Sequence, residues 1–537
     1  MTKEELEFTV ENGVLKGKKR EPSTKNPHLG KIILENLKRK PDFVGQVSAL
    51  TGEEYTFGQI REKTIRCALW LKKQGVSPGD IVVTCSDNNM DCALPMIASL
   101  CIGATFNGWD HKLDAKSLKY FDSLVKPKVI FVNESAAPVV SSELAKENPS
   151  LRVVVFGKVP GMLSFSEVIL NQSVEEIRAF ECSEVFNPAI VFLSSGTTGW
   201  PKAIELSHAC LLGHLDTFLT FESYRDVLGT FSTLNWISGV LITLAALYSG
   251  CKRFVFPSFE EELSCKLLQD TKIKWVMIPT NTLTRLTKFK DFRKYDLSSL
   301  EVVSTGGSGM SSTVQKACRN LLPDCAVLQM YGMTEFGGVI CAQKDNNTKL
   351  GSCGTVVSNV EIKIVDPETG KILGPNQKGE IHAKAYEIMM GYKGNPQATK
   401  EVIDSEGFLR TGDIGYYDEN GEIFIIDRIK ELIKYRGDHV SPAEIEAVLQ
   451  SHPGVKEAAV VGVPVPGDDE HPLAFVTRVS DSKVTGKELI DLVADQLADV
   501  KRLRGGVRFL ESMQYTSSGK IDRKKLKAMA RDLASKA

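Results

Sequence analysis

The chain has 537 residues, a formal net charge of −1, 25% charged residues and 42% hydrophobic ones. That balance describes a soluble globular protein of about three domain-sized units, and without an acidic or basic excess it argues against nucleic acid as a partner. Twelve cysteines at irregular spacing with no CxxC pair indicate reduced thiols rather than a disulfide framework, and the eight histidines form no zinc motif.

The first seven residues, Met1 to Glu7, are charged and lack the apolar core of a signal peptide, so secretion is not expected. Residues 56–74 predict a helix whose buried face carries Ile60, Ile65, Ala68, Leu69 and Leu71. The runs 80–85, 129–132, 151–156 and 275–279 are β-branched and mostly apolar, the composition of strands buried in a parallel sheet. Residues 236–248 form the longest apolar run, shorter than the roughly 18 to 20 residues that span a bilayer, and are expected to be a buried helix rather than a membrane span. Beyond Gly351 the pattern changes to short strands and turns, as in 360–366 and 421–426, which predicts a β-barrel-like subdomain. The fold class is therefore α/β: doubly wound subdomains followed by a barrel-like one.

Chemistry enters with Ser194-Ser195-Gly196-Thr197-Thr198-Gly199-Trp200-Pro201-Lys202, which leaves the apolar run 189–193. Glycines let backbone N–H groups approach phosphate oxygens, hydroxyls add donors, and the Lys202 ammonium offsets polyphosphate charge. The spacing is not that of the GxxxxGK[ST] loop. Four further polar segments follow in order, each beside an apolar stretch: Ser304 to Gly309, Gln329 to Glu335, Arg410 to Asp413, and Ile425 to Arg428. Ser517-Ser518-Gly519-Lys520 stands near the C-terminus.

Taken together, these segments resemble the adenylate-forming superfamily of acyl-CoA synthetases, firefly-type luciferases and adenylation domains. The stretches 427–437 and 503–507 are most similar to insect luciferases and luciferase-like fatty acyl-CoA ligases. The resemblance implies a large N-terminal domain over 1–428 and a small mobile α+β lid over 429–537, hinged at Lys430. It implies ATP, Mg²⁺ and coenzyme A as cofactors and co-substrates. Thr197, Thr198, Gly199 and Lys202 would hold the β- and γ-phosphates, with Ser194, Ser195 and Gly196 in the same nucleotide-binding loop. Thr334 would meet the α-phosphate and Glu335 the metal. Tyr331 would stack on adenine opposite Gly306, Gly307 and Ser308, with Gln329 and Gly332 beside it. Asp413 would hold the ribose hydroxyls. Arg428 is expected near ribose or phosphate, with an ion pair to Asp427 as the alternative. Lys520 would reach the reacting carboxylate during adenylation, and Lys434 to Gly437 would replace it for thioester formation.

For the acid itself, the resemblance marks His214, Trp236, Gly239, Gly337, Gly338 and Val339. His214 and Trp236 stand where firefly luciferases carry arginine and histidine, which argues against beetle luciferin. Ala203 replaces the glycine that usually follows the phosphate-loop lysine, without removing a group the chemistry needs. The expected function is ATP-dependent activation of a medium- to long-chain fatty acid to acyl-AMP, then thioester formation with coenzyme A. A luciferase acting on another luciferin and an aryl (coumarate-like) CoA ligase remain as alternatives. A monomer or weak oligomer is expected. The terminal Ser535-Lys536-Ala537 is similar to the peroxisomal tripeptide Ser-Lys-Leu and implies an import receptor, with a solvated lysine-rich tail as the other reading.

Overall fold

A computed structural model describes residues 8–25, 27–170, 172–173, 176, 178, 180–184, 188–194, 201–220, 227–436, 438–465, 469–516 and 520–534. Ser195 to Gly199 of the phosphate loop, Gly437, the 517–519 turn and the terminal 535–537 therefore lie outside the described residues.

Two large sheets and the helices between them make up most of the N-terminal part. In the first, the strands run in the order 391–392, 203–206, 190–193, 105–109, 81–85, 129–133, 152–156 and 163–164; all its pairs are parallel except the two at the 391–392 edge. The second has nine strands, ordered 355–356, 338–342, 326–333, 302–305, 275–277, 227–230, 252–255, 44–48 and 54–56. Ile81–Cys85 is buried along its whole length, which is why its sequence is a continuous Ile-Val-Val-Thr-Cys run rather than an alternation.

Helix Phe57–Lys73 starts at Thr56, whose hydroxyl accepts from the Gln59 backbone while the Gln59 side chain returns the bond, a reciprocal capping box. Ile60, Ile65, Ala68 and Leu71 are buried as expected, but Leu69 is only half-buried and Cys67 and Trp70 take the deeper places. Helix Ile237–Ser249 is buried over most of its length and stops at Gly250 in the left-handed region (φ +73°). Among the described residues no helix is long and apolar enough to cross a membrane.

The short strands beyond Gly351 form a six-stranded, wholly antiparallel sheet, with Phe8–Glu11 and Val14–Gly17 from the N-terminus joined to Val360–Val365. That N-terminal hairpin turns on Asn12-Gly13, both in the left-handed region (φ +52° and +78°), the dipeptide that favours a tight turn between two strands. The last strand of this sheet ends at Arg428; the strands of the fourth sheet, between Ile433 and Leu510, surround cores of their own built on Ile445, Leu449, Val460 and Phe475. All twelve cysteines are unpaired, eleven of them buried.

Candidate active site

The phosphate loop and the Ser304 to Gly309 turn both leave the carboxyl ends of buried parallel strands, where open α/β sheets place ligands. Ile190–Leu193 pairs with Ala203–Leu206, and Ser194 N–H donates to Lys202 O at 2.8 Å while Lys202 N–H donates to Ser194 Oγ at 3.1 Å. These bonds clamp the two ends of the loop together, so its span is set by a hairpin rather than by the loop's own residues. Beyond the clamp, Lys202 Nζ stands 4.5 Å from the Tyr392 ring centroid, and Tyr392 Oη donates to Glu335 Oε1 at 3.3 Å. Tyr392 thus joins the phosphate lysine to the expected metal carboxylate. It escapes sequence reasoning because its short strand is placed there only by pairing with 203–206.

On the nucleoside side, Thr280 Oγ1 donates to Ser308 O at 3.0 Å and Thr280 N–H to Gly306 O at 3.2 Å, fixing the turn that holds Gly306, Gly307 and Ser308. Gly307 has φ +88°, a conformation that a side chain would strain. Tyr331, beside a register shift in its strand, donates from Oη to Asp413 Oδ2 at 2.6 Å. Asp413 is 5% exposed, and Arg428, its direct cross-strand partner, reaches Oδ1 with Nε at 3.3 Å. Burial raises the Asp413 carboxyl above its ordinary range, against the pull of Arg428 and Tyr331. Arg428 is therefore paired with Asp413, the expected ribose carboxylate, and among the described residues it gives Asp427 only its backbone N–H, at 2.8 Å, and no guanidinium ion pair. Asp427 instead accepts from Ser441 Oγ at 2.6 Å and Ala443 N–H at 3.0 Å, holding the first turn of helix Pro442–Ser451.

Gln329 is 2% exposed; its amide donates to Cys353 Sγ at 3.1 Å, and its Oε1 is buried without a hydrogen-bond partner. Its strand pairs directly with Thr305, which explains why a polar residue there reads as part of the site. Gly332 is needed for close approach: a methyl there would lie 2.2 Å from Gly338 O.

Lys520 is half-buried, with Nζ 5.2 Å from the Trp236 ring centroid. Its backbone is held by Thr516, whose N–H donates to Lys520 O at 2.8 Å. Burial pushes its ammonium down to about 8 and Arg428 adds to the shift, while Glu335 and Asp413 oppose it. Those four influences place Lys520 in the field of the residues expected to surround the α-phosphate. Lys434 is exposed on strand Ile433–Tyr435, and its N–H donates to Glu470 Oε2 at 3.1 Å. It is not brought to the cleft in this arrangement. Lys430 is exposed in the turn that follows Arg428, where Glu431 and Leu432 N–H groups both donate to Arg428 O.

The residues marked for the acid separate into two places. Trp236 precedes helix Ile237–Ser249 beside Lys520, and Gly239, in its first turn, packs on the Thr233 carbonyl, 2.2 Å from where a methyl would stand. His214 and Val339 instead line a separate small apolar cavity with Leu215, Phe218 and Leu241. His214 Nε2 donates to Phe336 O at 2.9 Å, and burial pushes its imidazole down to about 4, so it is neutral at physiological pH. Its ring covers Gly337 and Gly338, where added methyls would lie 3.1 Å and 2.6 Å from ring atoms.

The sequence profile of the AMP-binding enzyme family matches residues 34–393, and that of the AMP-binding enzyme C-terminal domain matches 444–520. A luciferin 4-monooxygenase of Nipponoluciola cruciata is 34% identical over 88% of this chain and 89% of its own. A 4-coumarate–CoA ligase of Oryza sativa subsp. japonica is 34% identical over 90% of this chain and 88% of its own. Among solved structures, the luciferase-like enzyme of the nonluminescent mealworm Zophobas morio superposes with a TM-score of 0.72 at 34% identity, covering 78% of this chain and 99% of that one. An anthranilate CoA ligase in complex with anthranoyl-AMP shares the fold with a TM-score of 0.86 at 23% identity, covering 94% of this chain and 98% of that one. With the family profile spanning most of the chain and the motif residues Lys202, Glu335, Asp413 and Lys520 gathered around one cleft, the chain belongs to the AMP-binding, adenylate-forming enzymes.

Proposed function

We propose that this protein activates a medium- to long-chain fatty acid with ATP and then transfers the acyl group to coenzyme A. The observation that carries the first half-reaction is Lys520 beside Trp236, in the field of Glu335 and Asp413. In that step a carboxylate oxygen bonds to the α-phosphorus of ATP as the bond to pyrophosphate breaks. Charge gathers on the α-phosphoryl oxygens, and a fixed ammonium there stabilises the transition state more than the ground state. Lys202, steadied on the Tyr392 ring, would meet the departing pyrophosphate.

Glu335 fits Mg²⁺ carried on the nucleotide, since that ion takes one or two carboxylates together with phosphate oxygens. Among the described residues no cluster of three or more acidic, histidine or cysteine side chains offers a self-sufficient metal site. Bound there, the ion would neutralise phosphate charge; Tyr392 keeps the carboxylate oriented.

For the second step the thiol sulfur of coenzyme A bonds to the acyl carbonyl carbon and AMP leaves. Lys520 occupies the approach over Trp236, so the C-terminal unit must turn about the 428–432 segment before a thiol can enter. The apolar side chains Leu215, Phe218, Leu241 and Val339 around His214 favour an apolar acid, and the small cavity between them would have to open to take a long tail. The luciferin 4-monooxygenase and 4-coumarate–CoA ligase relatives support a second reading, an aryl acid or luciferin in the same place. Pyrophosphate release measured across fatty, aryl and luciferin acids tests the choice. The highest kcat/KM is expected for a medium- or long-chain fatty acid with coenzyme A; a coumarate-type preference, or light emission, would replace the proposal with the second reading.

A further inference from the structure

A second polar site lies away from the cleft, around Arg253. This residue sits on strand Lys252–Val255 and is 7% exposed. Its Nη1 donates to Thr243 Oγ1 and its Nη2 to Gln46 Oε1 at 2.5 Å, both neutral acceptors. No carboxylate pairs with it among the described residues. The nearby acids are committed elsewhere: Asp91 to Lys63 at 3.1 Å and to the Tyr55 hydroxyl, Asp87 to the Asn133 amide. Cys92, the closest ionisable neighbour, is itself buried and has its thiol pushed up, so it stays neutral.

An isolated buried charge is among the most costly things a fold can hold, and natural structures pair it or bring a counter-ion. Beside the guanidinium is a cavity lined by Asn88, Cys92, Thr230, Ser232 and Thr243. The lining is rich in donors. A guanidinium has five N–H groups and only two are accounted for. Thr230 Oγ1 already accepts from Ser232 N–H, and Ser232 Oγ from Ser238 Oγ, which leaves both hydroxyl protons to be given to another acceptor. The cavity admits the centre of a water-sized sphere over about 10 Å³, room for one small particle and none for a tetrahedral oxyanion.

We infer that the cavity beside Arg253 is a binding site for a single monoatomic halide, chloride under ordinary conditions. The charge and the donors call for an anion and the size admits only a monoatomic one: a carboxylate or phosphate is too large, a cation is repelled, and a water, which fits, would leave the guanidinium charge unpaired. The site also touches the catalytic machinery indirectly. Ser232 is bonded to Ser238, and Thr243 Oγ1 donates to Gly239 O at 2.7 Å, so the walls of the cavity grip the chain on both sides of Trp236. A bound halide would hold that segment in register beneath Lys520.

Crystals of the full chain grown with sodium bromide test this directly through bromine anomalous scattering. A peak within contact distance of the Arg253 guanidinium, lost in Arg253→Met, is the expected result; density that is anomalously silent in the wild-type cavity overturns the inference. A thermal titration supplies a second readout that needs no crystal. At constant ionic strength, replacing sodium gluconate by chloride or bromide should raise Tm saturably by about 2 °C, and Thr230→Val, which keeps the side-chain volume while removing one donor, should weaken that response. Equal Tm in gluconate and halide, for a wild-type chain that also shows no bromide peak, rejects the site.

Discussion

Lys520 and Trp236 meet across the two folded parts of the chain, with the ammonium 5.2 Å from the indole centroid. The contact lies within the range where a cation and an aromatic face attract, an interaction of about 0.5 to 2 kcal/mol depending on desolvation. That is too little to lock the lid, and enough to bias it. The same lysine carries its charge at a cost, because burial has brought its pKa to about 8. On the proposed mechanism, closure would be favoured once phosphate charge fills the cleft and reversed once pyrophosphate has gone.

Lys520→Ala should separate the half-reactions. Loss of one fixed donor to a developing anion typically costs on the order of 10²- to 10³-fold. Acyl-AMP formation, followed by pyrophosphate release, is expected to fall by that much, while thioester formation from synthetic acyl-AMP and coenzyme A stays within a few-fold of wild type. Equal losses in both would mean that Lys520 does not leave the cleft between steps.

The depressed lysine also sets a pH dependence. A lysine whose pKa falls from 10.5 to about 8 on lid closure carries its burial cost in full below pH 8 and loses it as pH rises towards 10.5. The catalytic form is the charged one, so kcat/KM for adenylation should decline between about pH 8 and 10.5, as the free enzyme, shared between closed and open arrangements, loses that proton. Lys520→Arg retains the charge at all accessible pH values. Its kcat/KM should be lower at neutral pH but flat through the alkaline range, in a pyrophosphate-release assay run from pH 6 to 10.

Asp413 joins Tyr331 and Arg428, and the three should fail unequally. Tyr331→Phe removes one hydrogen bond and should raise KM for ATP modestly, by about 3- to 10-fold, corresponding to the roughly 0.5 to 1.5 kcal/mol of a typical bond. Asp413→Ala strips both the Tyr331 hydroxyl and the Arg428 guanidinium of their acceptor and should raise KM for ATP by more than 10-fold with a lower Tm. Comparable effects from the two variants would show that the carboxylate acts only through its bond to Tyr331, with no separate part for Arg428 or the nucleotide.

Tyr392 supports Lys202 and Glu335 together, so its loss should act on nucleotide binding rather than on the acid. Tyr392→Leu is expected to raise KM for ATP by about 3- to 10-fold, the equivalent of roughly 1 kcal/mol, and to leave KM for the acid within two-fold. A change confined to the acid would place Tyr392 in the acyl site instead.

Gly338→Ala places a methyl 2.6 Å from His214 Nδ1, and overpacking of that kind costs about 1 to 3 kcal/mol. A lower Tm is expected, with recovery in the Gly338→Ala, His214→Ala double variant because the clash partner is gone. If the double variant is no more stable than the single one, His214 is not what sets the limit on that glycine pair.

Much of the cleft was legible in the chain because its chemistry is written in contiguous segments. A strand followed by a loop of glycines, hydroxyls and a lysine is readable as a candidate phosphate site from contiguous sequence, and Ser194 and Lys202 are found bonded to each other at its two ends. The buried helix after Trp236 and the change to antiparallel strands after Gly351 follow from hydrophobic period in the same local way. Tyr392 and Arg253 were hidden for the opposite reason. Neither belongs to a motif, and each acquires its role from strands distant in sequence: the pairing of 391–392 with 203–206, and of 252–255 with 44–48. The depth of Gln329 against Cys353 was hidden too, because sequence orders residues along a strand without saying which ones the next layer covers. Local propensity and spacing thus determined the fold class, and the order of motifs named the candidate reacting groups, whereas burial and cross-strand register, which are properties of packed layers, decided which side chains meet and how strongly their charges are held.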